Sequence, residues 1–108
     1  KLMITGGSSK KSIACGVYHT VFLLQDGTCK SVGMNAYGQL GDGTTIDKYI
    51  PIRVGLSKDW KSISAGNSHS IAIKNDGTLW GWGWNIYGQL GNGTTTNSYV
   101  PIQINCPQ

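Results

Sequence analysis

Two histidines and three cysteines are the residues of this 108-residue chain best suited to acid–base, nucleophilic or metal chemistry. His19 and His69 would titrate near neutrality, so either could serve as a general base. A base also needs a nucleophile or a second acid within reach. The sequence has no glutamate and no closely spaced carboxylates, and its histidines recur at one position of a repeated segment. We therefore expect a structural role for both histidines, no catalytic residues and a non-enzymatic protein.

The cysteines do not predict a metal site. Cys15, Cys29 and Cys106 are odd in number and show no Cys-x-x-Cys spacing, whereas a zinc site needs ligands paired at short spacing. The glycine-rich stretch 38–44 lacks the lysine of a phosphate-binding loop. We expect neither a metal nor a cofactor. In a secreted protein, Cys106 would be a candidate for an intermolecular disulfide.

Charge and hydropathy narrow the partners and the location. The net charge is +4, but the basic residues are scattered, which argues against a nucleic acid partner. No apolar run approaches the roughly 18 residues of a membrane span, so we expect no membrane partner. Low charge with abundant Gly, Thr, Asn and Ser favours an extracellular location. Residues Asn92, Gly93 and Thr94 form a glycosylation acceptor pattern.

An internal repeat is the most informative feature of the chain. Residues 11–54 align with residues 61–104 at a constant offset of 50 without a gap, and about half of the aligned pairs are identical. Each unit alternates apolar and polar residues as short strands do, with an Asp-Gly pair where a two-residue type I′ hairpin turn is expected. The predicted strands are Ser12–Cys15, His19–Leu24, Thr28–Gly33 and Tyr49–Val54, and the later ones recur as His69–Lys74, Thr78–Gly83 and Tyr99–Ile104. Four short strands per roughly 50 residues are typical of a β-propeller blade.

The repeated motif resembles the RCC1 repeat, named for the regulator of chromosome condensation. The shared motif is Gly-x-x-His, Asp-Gly-Thr, then Asn-x-Tyr-Gly-Gln-Leu-Gly-x-Gly-Thr-Thr, and it occurs at 16–45 and again at 66–95. The resemblance implies an all-β fold of two RCC1-like, four-stranded antiparallel β-propeller blades, which are part of a larger or oligomer-completed propeller. The family usually has seven blades. One departure is that strand 29–33 lacks the tryptophans found in strand 79–83.

The alignment defines the domains and the framework. We predict a tail strand of a preceding blade plus linker at 1–10, repeat 1 at 11–60 and repeat 2 at 61–108. The residues that recur are expected to be structural: Gly16, His19, Asp26, Gly27, Gly33 and Gln39 in the first unit, and Gly66, His69, Asp76, Gly77, Gly83 and Gln89 in the second.

Residues that differ between the units indicate where recognition occurs. Alternate connections of an up-and-down blade emerge on the same side, so two connections of each unit share one face. Variable loops on a fixed scaffold commonly carry binding. The candidate interaction residues are Val17, Tyr18, Met34 and Ala36 in the first unit, and Asn67, Ser68, Trp84 and Ile86 in the second. Trp80 and Trp82 are expected in the core between blades, whereas Trp84 lies past the strand end and is expected at an interface.

The resemblance implies binding of other proteins through a loop face. We expect a non-enzymatic module that mediates protein–protein interaction or self-assembly, with partners that include further copies of itself or further blades of a longer chain. One alternative is a regulatory propeller fragment that promotes guanine-nucleotide exchange on a small GTPase. Another is a structural subunit of an extracellular ring or filament.

Overall fold

In the part of the chain that the structure describes, eight β-strands form two antiparallel sheets. The computed structural model describes residues 10–85 and 96–104. The strands are β1 (Lys10–Cys15), β2 (His19–Leu24), β3 (Cys29–Gly33), β4 (Lys48–Arg53), β5 (Trp60–Ala65), β6 (His69–Lys74), β7 (Leu79–Gly83) and β8 (Ser98–Ile104). Each strand pairs with its neighbours along the chain, in the orders β1-β2-β3-β4 and β5-β6-β7-β8. We call these sheets blade 1 and blade 2.

The predicted fold is confirmed. Both four-stranded antiparallel sheets lie where the repeat places them, and β2 and β6 have the predicted bounds. The other strands differ from prediction by one or two residues at their ends. Strand β5 begins at Trp60, one residue before the predicted start of repeat 2. The predicted domain boundaries are otherwise not tested by the strand positions and stay predictions. The predicted tail strand lies outside the described residues.

The predicted type of hairpin turn is wrong. A type I′ turn needs positive φ at both central residues, but among the described residues only glycines have positive φ. Gly27, with φ of 86°, donates its N–H to the Leu24 carbonyl at 3.0 Å. Gln25 and Asp26 therefore form the centre of the turn, and glycine follows them in the left-handed conformation. The Asp26 carboxylate stabilises the turn instead by accepting bonds from the Thr28 N–H at 3.0 Å and hydroxyl at 2.7 Å.

The main apolar core lies between the blades. Its members come from both sheets: Val21, Leu23, Cys29 and Val54 from blade 1, and Trp60, Ala72 and Trp82 from blade 2. The indole of Trp82 is fully buried, and it approaches Gly41 so closely that a β-carbon there would lie 2.8 Å from the ring. Burying such a set of side chains removes several hundred square ångströms of apolar surface from water, at about 25 cal/mol per Å². Neither sheet would bury these residues alone.

Candidate interaction surface

Connections from both blades meet at one end of the sheets. The turns after β1 and β5 lie beside the loops after β3 and β7 because backbone hydrogen bonds join them. The backbone N–H of Met34 donates to the Tyr18 carbonyl at 2.9 Å. In blade 2, the backbone N–H of Trp84 donates to the Ser68 carbonyl at the same distance. We define the loop surface as Val17, Tyr18, Met34, Ala36, Tyr37, Asn67 and Trp84.

The loop surface crosses the blade junction. Val17 of blade 1 donates its N–H to the Asn67 carbonyl of blade 2 at 3.2 Å. The rings of Tyr37 and Trp84, also from different blades, are stacked with centroids 5.3 Å apart and planes at 29°. The surface therefore exists only where two blades adjoin.

Several apolar side chains of the loop surface are exposed to solvent. Val17 and Tyr18 are 59% and 60% exposed, and Met34 and Tyr37 are each 41% exposed. Trp84 is half-buried because one face of its indole lies against Tyr37. Contiguous exposed apolar patches on soluble proteins mark binding sites more often than isolated apolar residues do.

A buried asparagine sets the shape of the long loop that carries Met34 and Tyr37. Asn35 is fully buried. Its carbonyl oxygen accepts the Leu40 N–H at 3.0 Å, and its amide nitrogen donates to the Thr44 carbonyl at 2.9 Å and the Ile46 carbonyl at 3.1 Å. The loop thus obtains from one side chain the hydrogen bonds that a strand obtains from a neighbouring strand.

The charged side chains of the same loop form hydrogen bonds and an ion pair within the loop. Asp47 accepts the backbone N–H of Asn35 at 2.8 Å, and Asp42 lies 3.4 Å from the Lys48 ammonium. Partial burial acts to raise the pKa of Asp42, but hydrogen bonds from Thr44 and Asn35 and the Lys48 ammonium lower it below its usual value. The residues of the loop surface themselves carry no formal charge.

A serine and a histidine meet beneath the loop surface. His19 Nε2 lies 2.9 Å from Ser70 Oγ, and this hydroxyl donates to the Gln39 carbonyl at 3.0 Å. Because the hydroxyl has one proton, which goes to Gln39, the imidazole must donate from Nε2 to Ser70. His19 cannot then remove a proton from Ser70, and Ser70 is fully buried. The pair joins the blades and does not form a nucleophile with its base.

Burial disfavours the protonated form of both histidines. Burial in the junction, with a smaller contribution from nearby His69, lowers the pKa of His19 to about 4. Burial also lowers the pKa of His69. Each ring lies over a glycine, and a β-carbon on Gly16 or Gly66 would overlap the imidazole. These glycines have no positive φ, so the close approach of the ring explains them.

The opposite end of the blades is charged. The Asp-Gly turns and the linker 55–59 meet there, and Trp60 donates its N–H to the Gly27 carbonyl at 3.2 Å. The Lys74 ammonium lies 4.2 Å from the Trp80 ring centroid and 5.1 Å from that of Trp60. It also donates to the Ser57 hydroxyl at 3.0 Å. We call this end the turn surface.

The structure places most of the sequence-predicted interaction residues together. Val17, Tyr18, Met34, Ala36, Asn67 and Trp84 all belong to the loop surface, whose role in binding stays a prediction. The Ser68 side chain is buried, so it lies beneath that surface and contributes its carbonyl. Ile86 and Gln89 lie outside the described residues, as does Asn92. Sequence comparison missed Tyr37 because this tyrosine recurs as Tyr87 and was read as part of the repeated motif.

The expected framework residues that are described lie at turns and at the junction. Gly33 and Gly83 have φ of 122° and 107°, and Gly77 repeats the turn conformation of Gly27. Asp76 repeats the bonds of Asp26 by accepting from the Thr78 N–H at 2.9 Å and hydroxyl at 2.6 Å. Residues 10–85 and 96–104 contain no cluster of three or more metal-ligating side chains. In the same ranges, no helix has the length and apolar character needed to cross a membrane.

Family models agree with the repeat. Two models of the regulator of chromosome condensation (RCC1) repeat match the chain, one at residues 11–39 and 60–89 and the other at 26–73 and 76–108. The chain belongs to the RCC1 repeat family. Each blade described above is therefore an RCC1 repeat, and the chain contains two in tandem.

Solved RCC1 propellers have the same blade architecture. Human WBSCR16 superimposes with a TM-score of 0.87 at 30% identity over 95% of this chain and 27% of that protein. Prp20p from Saccharomyces cerevisiae superimposes with a TM-score of 0.85 at 26% identity over 97% of this chain and 27% of its own. The two repeats thus span about a quarter of these structures.

Curated relatives match this chain over segments no longer than about one repeat. The E3 ubiquitin-protein ligase highwire of Drosophila melanogaster is 42% identical over 53 residues, which are 49% of this chain and 1% of highwire. The ultraviolet-B receptor UVR8 of Arabidopsis thaliana is 40% identical over 47 residues, or 44% of this chain and 11% of the receptor. Human HERC3, a probable E3 ubiquitin-protein ligase, is 54% identical over 33 residues, or 31% of this chain and 3% of its own.

Proposed function

We propose that the chain is a non-enzymatic interaction module that binds a protein partner through its loop surface. One observation carries the proposal. Four connections from two RCC1 repeats bring Val17, Tyr18 and Met34 beside the stacked Tyr37–Trp84 pair, and these apolar side chains project from a hydrogen-bonded base. Aromatic residues and methionine are enriched at protein interfaces, and aromatic residues are common among the few that contribute most to binding.

Two further features support a protein partner. The loop surface has no charged residue, so it lacks the basic cluster with which proteins displace counterions from nucleic acid. Its polar residue Asn67 lies beside the apolar group, as polar residues do at the rim of a protein interface. Among relatives, Prp20p is described as having binding properties toward Gsp1p and histones, and yeast RCC1 is described as bound to Kap60.

A comparison of two surface variants tests the proposal. The first, Tyr18→Ser with Met34→Ser, changes the loop surface. The second, Leu56→Ser with Lys58→Ser, changes two exposed residues at the turn surface. Chemical cross-linking in an extract of the source cells, followed by mass spectrometry, identifies partners of the unmodified chain. We expect the loop variant to lose at least tenfold of the dominant partner and the turn variant to retain it. Equal recovery by both variants would contradict binding through the loop surface.

Assembly with further blades is a second proposed role. One face of blade 2 exposes Ile73, whereas the equivalent Leu23 of blade 1 is 1% exposed because blade 2 covers it. The same repeat thus leaves one apolar face uncovered by any described residue. Multi-angle light scattering over a range of concentrations tests the role. We expect association of the chain with itself, and a monomer at every concentration would contradict it.

A further inference from the structure

Two cationic side chains lie next to each other on the sheet of blade 1. Lys30 of β3 and Arg53 of β4 are paired directly across the two strands, so their side chains leave the sheet on the same side. The adjacent residues Cys29 and Val54 belong to the shared core, so the two cations lie on the opposite side, away from blade 2. Like charges at directly opposed positions destabilise a sheet, and an anion bound between them would remove this repulsion.

The chain itself does not provide that anion. In residues 10–85 and 96–104, neither Lys30 nor Arg53 forms an ion pair, because the two ion pairs found there join other residues. Arg53 Nη2 donates to the Leu56 carbonyl at 2.7 Å, and this neutral acceptor positions the guanidinium without balancing its charge. The guanidinium has five N–H donors in a planar fork, so most of them stay available to a ligand.

Blade 2 has no charge at the equivalent positions. There, Trp80 is paired with Gln103 across β7 and β8. Trp80 packs against the shared core, so in blade 2 this side of the sheet adjoins a neutral and apolar neighbour. The two cations are therefore a property of blade 1 and not of the repeated motif.

Apolar side chains continue the row of paired residues from the cations toward β1. Phe22 of β2 is paired with Lys30, and Ile13 of β1 is paired with Phe22. Phe22 is 1% exposed, whereas Ile13 is 47% exposed. We define the outer face as Ile13, Phe22, Lys30 and Arg53. Because neighbouring strands are about 4.8 Å apart, the midpoint between the two cations lies about 12 Å from Ile13.

We propose that the outer face binds an extended acidic segment of a protein partner, with a carboxylate between Lys30 and Arg53 and an apolar side chain against Ile13. A carboxylate fits the planar fork of an arginine and can accept from an ammonium at the same time. An extended chain rises about 3.3 Å per residue, so 12 Å corresponds to about four residues, and residues four apart lie on one side of a strand. The segment therefore carries Asp or Glu about four residues from an apolar residue.

An acidic protein segment fits the outer face better than a nucleic acid does. A nucleic acid repeats its charges along the backbone and is bound by a series of cations. The outer face has one pair of cations beside an exposed apolar side chain, Ile13. This site is separate from the loop surface, so the inference goes beyond the proposed function and does not depend on it.

A peptide titration tests the proposal. The probe is the capped peptide acetyl-Gly-Ser-Leu-Gly-Ser-Gly-Glu-Ser-amide, in which leucine and glutamate are four residues apart. Nitrogen-15 NMR of the full chain follows the backbone amides and gives the Kd. We expect shifts at Lys30 and Arg53, and we expect glutamine in place of the glutamate to weaken binding at least about fivefold, because the carboxylate is lost. Equal affinity of the two peptides, or no shift in β3 and β4, would overturn the proposal.

Matched variants separate the pair from the overall charge. Lys30→Gln with Arg53→Gln removes the pair, and Lys58→Gln with Lys61→Gln removes two exposed lysines elsewhere. We expect the first variant to lose the preference for glutamate over glutamine and the second to retain it. Loss of the preference in both variants would assign binding to net charge and overturn the site. A short DNA duplex that bound more tightly than the peptide would overturn the choice of a protein segment.

A stability measurement separates a binding role of the pair from a structural one. Lys30→Gln removes the repulsion from Arg53, so we expect the Tm of the unbound variant to equal or exceed that of the unmodified chain. A lower Tm would show that Lys30 stabilises the sheet, and it would contradict a pair retained for binding.

Discussion

Blades 1 and 2 have the same strand order and the same repeated motif, but their buried side chains differ. About half of their aligned residues are identical, and those residues form the turns, the loop base and the histidine junction. The second half of the second strand differs: β2 has Phe22, Leu23 and Leu24 where β6 has Ala72, Ile73 and Lys74. Leu23 is 1% exposed and its equivalent Ile73 is 37% exposed, so burial at this position depends on the neighbouring blade more than on the repeat itself.

The turn surface shows a second difference. Lys74 replaces the buried Leu24, and two tryptophans, Trp60 and Trp80, lie around its ammonium in blade 2. The rings of these tryptophans meet edge to face with centroids 6.2 Å apart. Blade 2 thus stabilises its end with a cation over aromatic rings, whereas blade 1 does so with a buried aliphatic side chain.

The largest expected effect concerns the tryptophan at the blade junction. Trp82→Ala should lower the free energy of unfolding by about 3–5 kcal/mol, because it removes a fully buried indole from the shared core. The matched control is Val32→Ala at the equivalent, half-buried position of blade 1, which should cost about 1 kcal/mol. Urea unfolding followed by tryptophan fluorescence and circular dichroism measures both. Equal losses would show that the junction is not the main core.

Equivalent leucine and isoleucine positions test the comparison directly. Leu23→Ala should cost about 2–5 kcal/mol, since the side chain is buried between the blades. Ile73→Ala should cost less than about 1 kcal/mol, because this side chain is 37% exposed. Thermal and urea unfolding of the two variants at one protein concentration provide the test. A large loss in Ile73→Ala would mean that the face of blade 2 that carries Ile73 is already covered in solution.

Acid should weaken the blade junction through His19. Its pKa is about 4 in the folded chain, against an unperturbed value of 6.5, so protonation favours the unfolded chain. The contribution of His19 to the free energy of unfolding is therefore fully present above pH 6.5. It decreases as the pH falls toward 4, by about 2 kcal/mol after allowance for solvent screening. Urea unfolding at pH 4–7.5 measures the slope. His19→Gln should remove most of it, while His69→Gln, at a less buried position, should remove less. An unchanged slope in His19→Gln would assign the acid effect to other groups.

The smallest expected effect is at the turn surface. Lys74→Gln removes the charge above Trp60 and Trp80 but retains most of the aliphatic stem, so we expect a loss of about 0.5–1 kcal/mol. Lys61→Gln changes an exposed lysine of the neighbouring strand and should alter stability by less than about 0.5 kcal/mol. Unfolding at low and high salt compares the two. If both variants behave alike, the cation–aromatic contact contributes nothing measurable.

Strand positions were predictable because they depend on local alternation. The odd residues of β2, from His19 to Leu23, were placed on one face from their spacing, and that face is the one buried at the junction. The turn type was not predictable from the Asp-Gly pair. Asp26 has a short acceptor that bonds Thr28 equally well from negative φ, and this shifts the left-handed residue to Gly27 alone.

Contacts between the blades were the least predictable part of the structure. The hydrogen bond from His19 to Ser70 joins residues 51 apart, and the Tyr37–Trp84 stack joins loops of different repeats. Both depend on the twist and separation of two sheets, which residue spacing does not encode. Trp60 was overlooked for the same reason, since it occupies the position of a lysine in the first unit and enters the core only across the junction.

The buried amide of Asn35 has a consequence for how such a surface changes over evolutionary time. Because one side chain beneath the loop supplies the bonds that hold its path, the outer residues Met34 and Ala36 contribute little to that path. Mutations there can accumulate without a loss of folding, as the replacement of Met34 by Trp84 between the two repeats illustrates. Each blade is thus free to acquire its own recognition residues while the chain retains a single way of folding.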